Sequence, residues 1–471
     1  MRPVNINGID WFLDDYEMAG SLRDVKPDDI GRRGYGVFSF KGGQFFLKSF
    51  REKGLSGFIR GKIAPRGKKE YDMGKRLRAL SILTPAPKGY GIAKAGSYII
   101  QEFIEGTSLL YALRVSRDRE LLIKGLARLL STLKTHKIRH NDLHIENIII
   151  HKDEQYLIDL HKMAIKKVFT EEDELSNISH SLAMVYTEMT EKEKEIFFRV
   201  YGNEGIREKT EAAIRAMRIN WVEKKKARAF DKTSIIEKKG NILYMKGMDA
   251  IGNGVYVETI KSDKKTEVLR YTDHIRKLYR NQRRLKKAWQ SSVVLAYMGL
   301  NITPRVYFFN PPSFSSWGFI AMEDLRGKGE ELDRFLDRGY SNMSIRERRS
   351  FIDRLAGFFK VFLRMDIIHM DLKGCNIFAI RDNGFLLLDL EDITFKEIDG
   401  NILARMLIQL NTTIPIKVSY TDRMRFFLDI TEGLRLDKKD VARMIARRSL
   451  EMEVVYEGVG GLKRESFKAM G

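Results

Sequence analysis

Two stretches decide how this chain is read: Ile138-Arg139-His140-Asn141-Asp142-Leu143-His144-Ile145-Glu146-Asn147-Ile148 and Ile367-Ile368-His369-Met370-Asp371-Leu372-Lys373-Gly374-Cys375-Asn376-Ile377. Their aspartates are 371 − 142 = 229 residues apart, and so are their asparagines, 376 − 147 = 229. Each stretch runs into an apolar strand ending in aspartate, Tyr156-Leu157-Ile158-Asp159 and Leu386-Leu387-Leu388-Asp389, offset by 389 − 159 = 230. Upstream, Leu83-Thr84-Pro85 answers Ile302-Thr303-Pro304 at the shorter offset 304 − 85 = 219. Solenoid units run to roughly 20–50 residues. A repeat of nearly half the chain therefore predicts a duplicated domain.

Working outward, Tyr35–Phe40 and Gln44–Phe50 read as aromatic and β-branched strands joined by a Lys41-Gly42-Gly43 turn. Val255–Ile260 and Glu267–Tyr271 are matched to them in the second copy. Helical segments follow around Lys69–Leu80 and Gln282–Met298, and Leu121–His136 and Arg348–Met365 have helical apolar spacing. The fold class expected is α+β: two tandem domains, each with a small β-rich N-lobe and a larger helical C-lobe. The boundary is placed near Asp231–Gly240, giving domains 1–235 and 236–471.

Composition agrees with a folded chain. The 471 residues allow two to four domains, and 43% are hydrophobic, enough for each to bury a core. Only 9 prolines and no low-complexity tract argue against long disordered regions. Cys375 stands alone, which excludes an intramolecular disulfide and a cysteine-based zinc cluster. No signal peptide is visible, and no apolar run approaches the roughly 18 residues that span a bilayer. A cytoplasmic protein is expected. The net charge of +21 points to an anionic partner: nucleic acid, a membrane surface or a phosphorylated substrate.

The repeated residues suit phosphoryl transfer, which needs positioning and charge neutralisation more than covalent help. A loop aspartate orients or deprotonates an acceptor hydroxyl. An asparagine five residues later and a strand-terminal aspartate supply hard oxygen to magnesium. These roles fall on Asp142 as base with Asn147 and Asp159 on Mg2+, and in the second copy on Asp371, Asn376 and Asp389. In the first copy Lys48 is a strand lysine of the kind that holds ATP phosphates, and Glu70 orients it. Gly31, Gly34 and Gly36 form a loose glycine loop before that strand, with Gly34 and Gly36 as nucleotide contacts. Aligning Val268-Leu269-Arg270 with Phe46-Leu47-Lys48 puts Arg270 at the lysine position, and Ala288 falls where Glu70 stood. Arginine is not a neutral replacement for lysine. On this alignment the second site keeps its base and metal ligands but lacks the phosphate-anchoring pair. It is either an active site of altered geometry or a nucleotide-binding regulatory unit. His140 and His369 read as loop scaffold, and Cys375 as a packed residue.

Leu157-Ile158-Asp159-Leu160-His161-Lys162 resembles the Ile-Asp-Leu-His-Arg segment of the bacterial lipopolysaccharide core kinases, the heptose and Kdo kinase family with a protein-kinase-like fold. The path from Lys48 through a basic insert to Lys69-Glu70-Tyr71 and Leu83-Thr84-Pro85-Ala86-Pro87 is similar too. The resemblance covers most of residues 30–230 and extends more loosely over 240–400. It implies an ATP- and Mg2+-dependent kinase that phosphorylates a sugar hydroxyl of the lipopolysaccharide inner core, on the cytoplasmic face of the inner membrane. Neither copy has Phe-Gly after its strand aspartate or an Ala-Pro-Glu segment, so the activation loop of signalling kinases has no counterpart.

Charge location supports an anionic glycolipid partner. Residues 41–78 hold 12 Lys/Arg against 3 Asp/Glu, and residues 261–287 hold 11 against 3, the same interval of each copy. Such a lip attracts a glycolipid or membrane phosphates. No nucleic-acid-binding signature accompanies it. Two rival readings stand beside this one: a kinase for another small molecule or protein, and a non-catalytic nucleotide-binding scaffold for anionic envelope components.

Overall fold

The computed structural model describes residues 2–23, 35–51, 64–94, 96–249, 251, 254–314, 316–381, 384–434 and 436–467. The chain divides into two compact units, Met1–Met217 and Arg218–Gly471. The division falls inside the helix Arg207–Ala227, ahead of the boundary expected at 231–240. The reason is local: Val222 and Ala229 are buried in the second unit's core. Arg218 pairs with Asp366 at 2.9 Å, and the Ala229 carbonyl accepts the Trp289 indole N–H at 2.8 Å.

The first unit opens with an antiparallel sheet in the order Val4–Ile6, Ile9–Leu13, Pro87–Ala93, Gly96–Glu102, Gly43–Arg51, Tyr35–Phe40. The last two strands are joined through Lys41 and Gly42, both at positive φ (47° and 76°), a tight two-residue hairpin turn. Successive side chains of a strand face opposite ways. Leu47 and Ile100 therefore pack with Trp11 and Leu13 on one face, while Phe50 and Ile99 pack with Tyr90 on the other. The second face is covered by the helix Arg66–Ala79 through Tyr71. Lys48 shares that face with Phe50, two residues away, so it points toward the helix that carries Glu70. The helix lies so close to the sheet that a Cβ on Gly67 would stand 2.2 Å from the Tyr98 carbonyl oxygen; only glycine fits.

The helical part of the first unit is built around Arg119–Thr135. Asp118 caps it by accepting the Leu121 N–H at 3.2 Å, and Ile123, Leu126, Leu130 and Leu133 form its buried stripe. The helix ends at Lys137, held at φ 55°, which turns the chain into the strand Ile138–His140. In the second unit Ile345–Arg364 begins with a Ser344–Glu347 capping box and ends before Asp366, at φ 56°. Lys137 and Asp366 are 366 − 137 = 229 residues apart, the offset of the loop aspartates.

The second unit's sheet runs Ile236–Lys239, Ile242–Met245, Val306–Asn310, Gly318–Met322, Ile275–Tyr279, Thr266–Tyr271, Tyr256–Ser262. Six of these strands repeat the first unit's order, and Tyr256–Ser262 is an additional edge strand. The place of the lysine strand Gly43–Arg51 is therefore taken by Ile275–Tyr279. The strand match made from sequence was one strand early: Glu267–Tyr271 corresponds to Tyr35–Phe40, not to Gln44–Phe50.

Candidate active site

In the first unit the Lys48 Nζ lies 3.0 and 3.2 Å from the two carboxylate oxygens of Glu70 and also contacts Asp159. Glu70 is 1% exposed. Its second oxygen is 3.1 Å from His161 Nδ1, and the His161 ring meets Phe50 edge-on at 5.1 Å. A carboxylate this deep is tolerated only when charge and hydrogen bonds satisfy it, and Lys48 and His161 do so. Asp159 stands at φ 64°, a left-handed backbone costly for a residue with a Cβ.

The loop below is tied together by its own polar groups. The Asn147 side-chain amide donates to the Asp142 carbonyl at 3.0 Å, and the Ile158 N–H donates to the Asn147 carbonyl at 2.9 Å. The second bond fixes the strand that delivers Asp159. Asp142 is held from three sides: Lys162 contacts one carboxylate oxygen, His144 Nε2 lies 2.8 Å from the other, and its N–H donates to His140 Nδ1 at 3.1 Å. Burial works against the Asp142 charge, but Lys162 and His144 overcome it and hold the carboxyl below its ordinary range. Burial also pushes the fully enclosed His140 down to about 4, so its Nδ1 is free to accept. His140 is loop scaffold, as its spacing suggested. Thr84 of the Thr-Pro pair is buried and donates to the Leu157 carbonyl at 2.8 Å, which seats the same strand.

A cleft of about 640 Å³ opens over this group, lined by Lys48, Arg51, Lys69, Asp159, His161 and Lys162 among others. Asp159 and Asn147 offer the hard oxygen that suits a divalent cation, and the cationic wall suits phosphates. Gly36 lies on the strand beside Lys48, opposite Leu47, with open space where a Cβ would be. Gly34 and Gly31 lie outside the described residues.

The second unit corrects the expectation for its anchoring pair. Arg270 is on the neighbouring strand, paired with Glu258 at 3.3 Å and Asp324 at 3.2 Å, and Ala288 is fully buried in the core. The lysine position belongs to Lys277, whose Nζ is 2.5 Å from Asp389 Oδ1 and 2.9 Å from Glu391 Oε1. Glu391, 2% exposed, also accepts from Arg284 at 3.1 Å and the Tyr279 hydroxyl at 2.9 Å. Although burial opposes it, the attraction of Asp389 and Glu391 raises Lys277 above its ordinary value. One signal in the sequence pointed there: 277 − 48 = 229, the offset of the aspartates.

The rest of the second set is assembled as in the first. The Asn376 amide donates to the Asp371 carbonyl at 2.8 Å, and the Leu388 N–H donates to the Asn376 carbonyl at 2.9 Å. Asp389 stands at φ 51°, and Lys373 pairs with Asp371 at 2.9 Å. His369 Nε2 is 2.8 Å from the Leu388 carbonyl oxygen, which ties the loop to the strand before Asp389. Burial pushes the Cys375 thiol up to about 11, in keeping with a packed residue.

A buried lysine gripped by two carboxylates, with a loop that links an aspartate to an asparagine, is an arrangement suited to phosphoryl transfer. The first unit is a kinase. Residues 44–201, within the first unit, match the model of the lipopolysaccharide kinase (Kdo/WaaP) family. No curated protein matches the chain.

Proposed function

We propose that the first unit transfers the γ-phosphoryl group of Mg·ATP to a sugar hydroxyl of the lipopolysaccharide inner core. The observation that carries this reading is the Lys48–Glu70–Asp159 contact inside the family-matched span, together with an Asp142 held ionised beside it.

In this mechanism Lys48, held by Glu70, neutralises nucleotide phosphate oxygens. Asp142 orients the acceptor hydroxyl and takes its proton as the new oxygen–phosphorus bond forms and the bond to the leaving ADP oxygen breaks. Lys162 compensates the carboxylate before transfer and the growing charge beside it afterwards. Asp159 and Asn147 are the residues that would hold magnesium, which when bound offsets the phosphate charge. The same roles in the second unit are proposed for Asp371, Asn376 and Asp389.

The cationic cleft wall and the net charge of +21 favour an anionic acceptor presented at a membrane surface. Among the described residues no helix is long and apolar enough to cross a membrane. We place the reaction on the cytoplasmic face of the inner membrane, with peripheral contact.

The test is transfer of label from γ-labelled ATP to dephosphorylated core lipopolysaccharide, with wild type beside Asp142→Asn. Label in the glycolipid that vanishes in the variant is the expected result. Retained turnover in Asp142→Asn overturns the assignment of the base. Label in a protein or free sugar but not in the glycolipid moves the acceptor to the rival kinase reading.

A further inference from the structure

We propose that the second unit binds a nucleotide through an anchor of its own, Lys277 held by Glu391, so that each chain carries two nucleotide sites. The inference rests on reading the second unit as kinase-like. It goes beyond that reading in naming the anchor and the altered way it is held.

The place of Lys277 follows from the sheet. Lys48 pairs across to Ile99 on the adjacent strand Gly96–Glu102, and Lys277 pairs to Ile320 on the adjacent strand Gly318–Met322. Each lysine then reaches an aspartate far along the chain, Asp159 at 111 residues and Asp389 at 112. The two aspartates share a left-handed backbone, φ 64° and 51°. A buried ion pair kept for stability alone needs no such backbone, which costs of order 1–3 kcal/mol and concentrates at functional sites. The Asp389 side chain also remains 36% exposed beside a lysine that is 13% exposed, so the pair opens to solvent on the aspartate side.

The support of the lysine has changed hands. In the first unit the buried carboxylate comes from the helix Arg66–Ala79, and the segment after Asp159 contributes His161. In the second unit the carboxylate comes from the segment itself, Glu391, and the helix Gln282–Met298 contributes Arg284, 3.1 Å from Glu391 and 3.3 Å from Asp392. Acid and base have exchanged sides while a lysine, two carboxylates and one nitrogen base are retained. Both carboxylates that grip Lys277 therefore sit within three residues of one another, and the anchor does not depend on an acidic group from the helix. Lysine remains the phosphate contact, a compact ammonium of the same reach as in the first unit.

The measurement is the number of nucleotides bound per chain. The full-length protein is dialysed to equilibrium against a non-hydrolysable ATP analogue with Mg2+, and circular dichroism verifies the fold of each variant. Wild type is expected to bind two, Lys277→Met one, Lys48→Met one, and the double variant none. Lys277→Arg keeps a cation between Asp389 and Glu391, so it guards against loss by unfolding; it too is expected to bind one. One nucleotide per chain that Lys277→Met leaves in place overturns the proposal, as does no binding at millimolar analogue. A single nucleotide per wild-type chain, lost with Lys277→Met but kept in Lys48→Met, would support the second anchor while sinking the reading of the first.

Discussion

Lys277 Nζ lies 2.5 Å from Asp389 Oδ1 across 112 residues of chain, the relationship that Lys48 has with Asp159 across 111. The second unit thus possesses a lysine at this place, and not the Arg270 of the sequence alignment. Arg270 and Ala288 therefore lend the scaffold reading no support.

Removing the base separates binding from chemistry. Asp142→Asn keeps the shape of the loop but accepts no proton and no longer pairs with Lys162. Transfer by the first unit is expected to fall by at least about 10²-fold, with nucleotide affinity nearly unchanged. Single-turnover transfer beside equilibrium nucleotide binding tests this, and a matching loss in both would count against Asp142 as the base.

Glu70 is the most enclosed charge of the first site, at 1% exposure, and its removal leaves Lys48 with Asp159 alone. Because Asp159 still compensates Lys48, the cost is expected to stay below the about 3–5 kcal/mol of a buried charge left wholly unpaired. Glu70→Ala is expected to lower the urea midpoint of the first unit accordingly and to raise the KM for ATP. A change below about 1 kcal/mol would show that the pair is solvated.

His140 makes the catalytic loop acid-sensitive. Its pKa when folded, about 4, lies below the ordinary 6.5, so the unfolded chain binds the extra proton first. Stability from this group is complete above pH 6.5 and is lost as pH falls toward 4, by roughly 3 kcal/mol in all. A proton on Nδ1 would also displace the Asp142 N–H that it accepts. Denaturant unfolding at pH 7, 5.5 and 4.5 is expected to show this slope in wild type and a shallower one in His140→Gln. Equal slopes would remove His140 as the cause.

Cys375 is expected to resist thiol reagents. Burial first, then the neighbouring Asp333, holds its pKa near 11, leaving little thiolate at pH 8. Modification by iodoacetamide should be slow in the native protein and rapid in urea, and Cys375→Ala should leave nucleotide binding intact. Rapid native labelling would contradict the packing.

How much was legible follows from how far apart the cooperating residues lie. Asp142, Asn147 and Asp159 fall within 18 residues, and their repeats within 19, so spacing alone brought each set together. Lys48 and Glu70, which the structure also brings together, lie on a well-patterned strand and the helix after it. Lys277 was missed because Ile275–Tyr279 sits inside the basic run 261–287, where charge hides the alternation of a strand. The additional edge strand Tyr256–Ser262 then drew the match one strand too early.

The amino-acid order by itself determined that the His-x-Asp-x-x-x-x-Asn pattern and its strand aspartate occur twice, and which family the first unit resembles, because those signals are local or repeat at one offset. Only the tertiary structure decided which lysine of the second unit meets Asp389 and which second acid shares it. A strand's neighbour is set by hydrogen bonding across the sheet, and Glu391 does the work of Glu70 from a segment more than a hundred residues after Lys277. Charge balance in a buried site constrains the sum of the groups that meet there, not the element from which each one comes.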